Sequence, residues 1–376
     1  MTSLEKRRAM SESRVLDISA LLKPLRRDPV AGGSFGDVFQ YSHSDGRLCA
    51  VKSLRPFAID TQGDPRSLIR AIFHEAQQWH DLTHPNILPM IGVCFRDETG
   101  FPSLVCPWMK NGDARKYCEK PQNREKLDFI KFISKIAYGL AYIHSRGIVH
   151  GDIRGPNILI NDDGEPCISD LGFARVVNVT ATSSYSSSDS KWPPANVWSP
   201  PEYYPGLHGP GGIKPEKSAD VFSYGATVIE LWTGRNPFPE FASTLEMILH
   251  FMAKKPLPDP PQAGQKEFLQ FKDQVHEVYL LCCDIDPKSR SEIATIAHLL
   301  GQRVAQHDFI KKEDDEVAAM LALRPPGHSK QDDDGVSMVS YASSTVAPRS
   351  EPDDENFDSC SPCSSHVRNK TRRIRH

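Results

Sequence analysis

The chain of 376 residues has little of what marks the specialised classes of protein. Its charges nearly cancel, with 45 Lys and Arg against 48 Asp and Glu and a formal net charge of −3. That balance excludes a chain held to nucleic acid by an overall basic field. No run approaches the roughly 18 uninterrupted apolar residues of a membrane-spanning helix. The stretch from Met1 to Met10 carries charges with no apolar segment behind them, so neither secretion nor membrane insertion is expected. Cysteines stand at 49, 94, 106, 118, 167, 282, 283, 360 and 363, an odd set without regular spacing. A reduced intracellular chain fits that pattern better than a disulfide framework. Cys360, Cys363 and His366 supply three soft ligands where a closed zinc site needs four, so no structural metal is expected there. Internal repeats of roughly 20 to 50 residues are missing, which sets aside solenoids and propellers. G-K-[ST] is missing too, and with it the P-loop.

What is there is an ordinary globular composition, 39% hydrophobic and 25% charged, with two shifts along the chain. Between about Pro24 and Arg303 apolar residues recur with regular punctuation. From about Gln306 onward come acidic runs (Asp314-Asp315-Glu316, Asp332-Asp333-Asp334), serine clusters and prolines, the composition of a disordered tail. Its end carries Arg368, Lys370, Arg372, Arg373 and Arg375, a basic cluster open to two readings, a nuclear-targeting or acidic-partner patch and a solvated end.

The first third reads as strands around one helix. Val38–Tyr41 and Leu48–Lys52 flank Ser44-Asp45-Gly46, a hairpin signal, and Ile91–Phe95 and Ser103–Cys106 are further strand-like runs. Ser67 to Leu82 has helical periodicity. From about Leu127 helices dominate: Ile130, Ile133, Ala137 and Leu140 form one stripe that stops at Gly147. A second helix, roughly Asp220 to Thr233, is apolar nearly all round and so runs through the interior.

Four stretches carry chemistry. Val30-Ala31-Gly32-Gly33-Ser34-Phe35-Gly36-Asp37-Val38 lies between strands, which excludes a dinucleotide fingerprint and suits a hairpin folded over phosphates. Lys52 sits among apolar neighbours in Cys49-Ala50-Val51-Lys52. On a helical wheel Glu75 falls inside the apolar face of Leu68, Ile69, Ile72, Ala76, Trp79 and Leu82, so a carboxylate is pushed toward the core. Burying it alone is costly, and Lys52 on a neighbouring strand is the natural partner, its ammonium poised for phosphate oxygens. Asp152 and Asn157 follow on a loop pinned by Pro156, and the turn Asn161-Asp162-Asp163-Gly164 brings Asp170 back beside Asn157. A carboxylate and an amide oxygen together suit Mg²⁺. Asp152 is left to orient a hydroxyl and accept its proton.

Taken in order, G-rich loop, A-V-K, helix Glu, H-x-D-x-x-x-x-N, D-x-G and P-P-E, the set resembles the protein-kinase superfamily. It is most similar to the tyrosine-kinase-like group of serine/threonine kinases, particularly fungal members. The resemblance covers about Pro24 to Arg303 and implies an α+β, bilobal kinase fold: a small β-rich N-lobe (about 24–108) with a five-stranded sheet and one helix, and a larger helical C-lobe (about 109–305). Residues 1–23 are then an N-terminal extension and 306–376 the tail. It implies ATP and Mg²⁺ as cofactors, protein substrates as partners, no nucleic acid or membrane, and a cytoplasmic location with a nuclear one open through the basic end. Gly33, Ser34 and Gly36 would cover the phosphates, Val38, Ala50 and Leu159 sandwich the adenine, and Met109 offer backbone hydrogen bonds, with Cys106 as gatekeeper. Lys52, Glu75, Asp152 and Arg154 would be the catalytic set, and Asn157 and Asp170 the metal ligands. Glu202 would pair with Arg290, and Asp220 would anchor the catalytic loop.

Several positions depart from the pattern. Ala31 replaces the first glycine of the loop, and Leu171 stands where D-F-G has Phe, a swap between apolar residues. Arg154 takes the place of the usual Lys, keeping the charge beside the γ-phosphate and changing its geometry. Ala195 replaces the threonine that supports the catalytic Asp, which leaves serine/threonine over tyrosine preference open. Ser291 replaces a proline. Gly151 replaces the arginine that grips a phosphorylated activation segment. The hydroxyl-rich run Thr180, Thr182, Ser183, Ser184, Ser186, Ser187, Ser188 and Ser190 therefore reads as autophosphorylation sites or as a solvated loop. The rival to an active enzyme is a catalytically weak pseudokinase scaffold on the same fold.

Overall fold

The computed structural model describes residues 14–32, 36–54, 65–96, 101–171, 196–204, 216–253, 255–262 and 264–322. Two short strands, β1 (Leu22–Pro24) and β2 (Ala31–Gly32), both pair antiparallel with the long β3 (Gly36–His43). The turn Ser44-Asp45-Gly46 leads into β4 (Leu48–Leu54), with Gly46 at φ 89°, a backbone conformation glycine adopts without strain. Then come α1 (Pro65–His80), β5 (Gly92–Phe95) and β6 (Pro102–Pro107). The sheet has six strands, in the order β1-β3-β4-β6-β5 with β2 beside β3. Five were expected. The sixth arises because the segment facing β3 is interrupted between Pro24 and Ala31, where Pro29 has no N–H to give to a ladder.

The two faces of this sheet do different work. Phe39, Cys49, Val51 and Val105 join Ile18 and Cys94 in a small apolar cluster on one side. The two-residue period then puts Val38, Ala50, Lys52, Leu104 and Cys106 on the other. Register agrees: Val38 lies opposite Lys52, Lys52 opposite Leu104, and Ala50 opposite Cys106. This second face looks onto α1 and the large lobe.

The large lobe follows, with α2 (Ala114–Glu119), α3 (Pro121–Arg124) and α4 (Phe129–Ser145), the hairpin β7 (Ile158–Ile160) and β8 (Pro166–Ile168), then α5 (Lys217–Thr233), α6 (Thr244–Met252), α7 (Lys272–Cys282) and α8 (Ile293–Ala322). Asp128 caps α4 by accepting the Lys131 N–H at 3.0 Å, and the stripe Ile130, Ile133, Ala137 and Leu140 is buried. Gly147, at φ 75°, turns the chain out of the helix toward the loop that carries Asp152. Every residue of α5 from Ala219 to Trp232 is buried, and Gly234 at φ 69° ends it. Residues 306–322, expected to open the tail, continue α8 instead. Ala occurs three times there and Lys and Glu twice each, and all three are good helix formers. No helix among the described residues is long and apolar enough to cross a membrane.

Candidate active site

The second hairpin positions the acids. Asn161 Oδ1 accepts the N–H groups of Asp163 and Glu165, and Gly164 at φ 82° closes the turn, so β8 runs back beside β7. Ser169 then bonds Asn157 O twice, through its N–H at 2.9 Å and its Oγ at 2.8 Å. Asp170 follows in the left-handed region at φ 64°, the one such non-glycine among the described residues. That conformation is sparsely populated and is held here by the residues on either side. Its carboxylate meets Lys52 Nζ, arriving from the cleft face of β4, at 2.6 Å.

Asp152 and Asn157 also come together. Asn157 Nδ2 donates to Asp152 Oδ2 at 2.7 Å and to its backbone oxygen at 2.8 Å. With the amide nitrogen committed, the Asn157 oxygen points away from Asp152. A carboxylate from Asp170 and this amide oxygen form a hard-oxygen donor set that fits a small divalent cation. Glu75 is buried on α1 at 9% exposure, and it lines a small cavity together with Trp79, Leu82 and Leu171. Leu171 thus packs beneath α1, as an apolar residue at that position should. The Arg154 guanidinium lies over the Trp198 ring at 5.4 Å, and its Nε stands 3.8 Å from Asp152 Oδ2.

Of the residues expected around the nucleotide, Val38, Ala50, Met109 and Leu159 are partly exposed, and Gly36 is buried at the start of β3. Leu159 bridges to Asp113, which places β7 against the segment that follows Met109. Cys106 is 5% exposed, and burial pushes its thiol well above the usual range. Gly33, Ser34, Ala195 and the hydroxyl-rich run from Thr180 to Ser190 lie outside the described residues.

The loop carrying Asp152 is held from below by α5. Asp220 accepts the N–H groups of His150 at 2.8 Å and Gly151 at 2.7 Å, and His144 Nε2 lies 2.8 Å from its carboxylate. His150 in turn bonds Ser169 O at 2.8 Å, tying the loop to the strand before Asp170. Glu202 and Arg290 form a two-pronged pair at 2.7 and 2.8 Å.

Other residues of the site escape a reading by motif. Thr227 Oγ1 reaches Ile153 O at 3.3 Å, Ser223 Oγ donates to Trp198 O at 2.9 Å, and Glu230 accepts from Gly155 N and Trp198 Nε1, both at 2.9 Å. Burial pushes the Glu230 carboxyl upward, and the Gly155 N–H, Arg115, Trp198 and Arg154 oppose that shift. The missed signal was spacing. Asp220, Ser223, Thr227 and Glu230 recur at three, four and three residues on an otherwise apolar helix, so they form one polar stripe.

A small sheet and a helical lobe with a lysine, two acids and an amide between them have the layout of the two-lobed fold on which nucleotide-dependent phosphotransferases are built. Comparison with known proteins agrees: the family described as protein tyrosine and serine/threonine kinase matches residues 26–300. The chain belongs to the protein kinase family. It is 28% identical to a mitogen-activated protein kinase kinase kinase of Arabidopsis thaliana over 335 residues, 87% of this chain and 41% of the relative. A mitogen-activated protein kinase kinase kinase of Pyricularia oryzae is 29% identical over 66% of this chain and 27% of its own length. A tyrosine-protein kinase receptor of Caenorhabditis elegans is 26% identical over 73% and 24%. The chain thus spans about a quarter to two fifths of the length of these relatives. Family membership implies ATP and a divalent metal as cofactors.

Proposed function

We propose that the chain transfers the γ-phosphoryl group of ATP·Mg²⁺ to serine and threonine hydroxyls of proteins. The observation that carries this reading is the convergence, in one cleft, of the Lys52–Asp170 pair at 2.6 Å and the Asn157–Asp152 pair at 2.7 Å. Lys52, steadied by Glu75 from α1, neutralises phosphate charge. Asp170 and Asn157 would hold the metal, which would supply positive charge beside the phosphates. Asp152 aligns the acceptor hydroxyl and takes its proton, and Arg154 stands beside it as the neighbouring cation. Val38, Ala50 and Leu159 would sandwich the adenine, the Met109 backbone would offer it hydrogen bonds, and the glycine-rich stretch that ends at Gly36 would cover the phosphates.

A second reading, a scaffold that binds partners through the same fold, draws on one feature: the Arg154 guanidinium packs over the Trp198 ring, and only its Nε, at 3.8 Å, comes near Asp152. Transfer from labelled ATP to a mixed peptide library, with Asp152→Asn as control, separates the two. Phosphoserine and phosphothreonine in the product support the enzyme. Phosphotyrosine replaces the acceptor assignment, and transfer no greater than that of Asp152→Asn supports the scaffold.

A further inference from the structure

The sheet face that turns away from the cleft carries a cavity of its own. Its volume is about 350 Å³, and Leu22 of β1, Tyr41 of β3 and Phe95 of β5 form much of the wall. Phe39, two residues before Tyr41, belongs to the apolar cluster on this face, so the two-residue period of the strand puts Tyr41 there as well. Val38, Ala50 and Lys52 point the other way, and phosphoryl transfer makes no use of the cavity.

Arg26, Arg27 and Arg96 complete the wall, and among the described residues no acid lines it. Arg26 and Arg27 lie on the link from β1 to β2, which the Leu25 N–H ties to Gln40 O at 3.1 Å. Both are exposed, and among the described residues no carboxylate meets either side chain. Arg96 follows the end of β5, where Ser19 Oγ accepts the Phe95 N–H at 2.9 Å. Its guanidinium lies over the Phe39 ring at 3.3 Å, a contact that uses the flat face of the group and leaves its N–H edge for oxygens. Asp17, which adjoins the cavity through Ser19, accepts the N–H of that residue at 2.9 Å and its Oγ as well.

Like charges gathered around one cavity repel one another, and an anion among them reverses the sign of that interaction. A phosphate ester, with close to two charges and three acceptor oxygens, matches forked guanidinium donors best. The cavity has more room than a bare phosphate needs, and Leu22, Tyr41 and Phe95 offer surface to the side chain that carries it. An anionic bilayer calls instead for an open cluster of roughly four to eight Lys and Arg. Here Asp17 and Asp28 stand exposed on the same segments and interrupt any such surface. We propose that this cavity binds a phosphorylated side chain of a partner protein, through Arg26, Arg27 and Arg96 and on the side of the sheet opposite the ATP cleft. Binding there requires no turnover, so the proposal stands apart from the phosphotransfer reading.

The test uses the full chain after phosphatase treatment and without ATP, so that neither its own phosphates nor turnover interferes. Peptide libraries with a central phosphoserine, phosphothreonine or phosphotyrosine, and their unphosphorylated counterparts, are titrated by fluorescence anisotropy. At least one phosphorylated library is expected to bind about tenfold or more tighter than its counterpart, with an affinity that falls as salt rises. Arg26→Ala combined with Arg27→Ala is expected to abolish that preference at an unchanged urea midpoint, since both side chains are exposed. Arg96→Gln is expected to abolish it too. A phosphopeptide preference that survives both variants would put the phosphate elsewhere on the chain and overturn the site. Equal binding of phosphorylated and unphosphorylated libraries would overturn it as well. Arginine-dependent binding to phosphatidylcholine vesicles that carry a phosphoinositide, without any phosphopeptide preference, would replace the protein partner with a lipid headgroup. Failure of labelled transfer alongside an arginine-dependent phosphopeptide preference would defeat the phosphotransfer reading and leave this one standing.

Discussion

In the interior of the large lobe Asp220 and Glu230 are 1% and 0% exposed, whereas in the cleft the side chains of Asp152 and Asp170 keep 23% and 29%. The interior acids take most of their hydrogen bonds from main-chain N–H groups and from an indole. The cleft acids face side-chain partners, an amide at Asp152 and an ammonium at Asp170. A carboxylate locked onto backbone donors has nothing left to offer a ligand, but it fixes the path of the loop that supplies those donors. A carboxylate facing a lysine can share that lysine with phosphate and still ligate a cation. Catalysis on this fold is mostly positioning and electrostatics, and the two sets divide those tasks.

The contrast can be broken by substitution at either end. Asp152→Asn, which leaves the interior acids untouched, is expected to lower kcat by about a thousandfold with ATP affinity within about twofold, measured by labelled transfer and calorimetric titration. Equal losses in both would place Asp152 among the structural acids. Asp220→Ala strands two buried N–H groups and is expected to cost about 3 kcal/mol in urea unfolding. A cost below about 1 kcal/mol would mean that the loop holds its shape without α5.

Gly151 sharpens the comparison at the point where the two regions meet. Its N–H is given to Asp220 at 2.7 Å while its φ is 81°, so the anchor requires a left-handed residue. Gly151→Ala is expected to destabilise by about 1 kcal/mol, read as a fall in the unfolding midpoint. No change would mean that the loop can relax away from Asp220. The smallest expected effect concerns regulation. Since position 151 has no guanidinium to grip a phosphate, phosphatase treatment is expected to leave turnover within about twofold. Loss of nearly all turnover would mean that a phosphate on the hydroxyl-rich segment is gripped by a cation at some position other than 151.

Much of the site was legible because its chemistry restricts the choice of residue. Lys52 among β-branched and small neighbours, Glu75 inside an apolar stripe, and Asp152 five residues before Asn157 are unusual enough to be read in one dimension. Glu230 was not, since a single acid near the end of an apolar helix looks like a residue approaching the surface. Its role depends on Gly155, 75 residues earlier, and on Trp198, 32 residues earlier. The split of the first strand by Pro29 and the run of α8 to Ala322 were hidden for a different reason: both are set by whether backbone donors find partners, which local composition reports weakly.

The sequence by itself determined the two-lobed class, the order of the cleft residues and the interior course of α5, because periodicity and chemically restricted motifs are local properties. Only the tertiary structure decided which acids meet cations in the cleft and which meet main-chain N–H groups in the interior. Hydrogen bonds between residues 70 or more positions apart are chosen by packing, and packing has no signature in the spacing of residues along the chain.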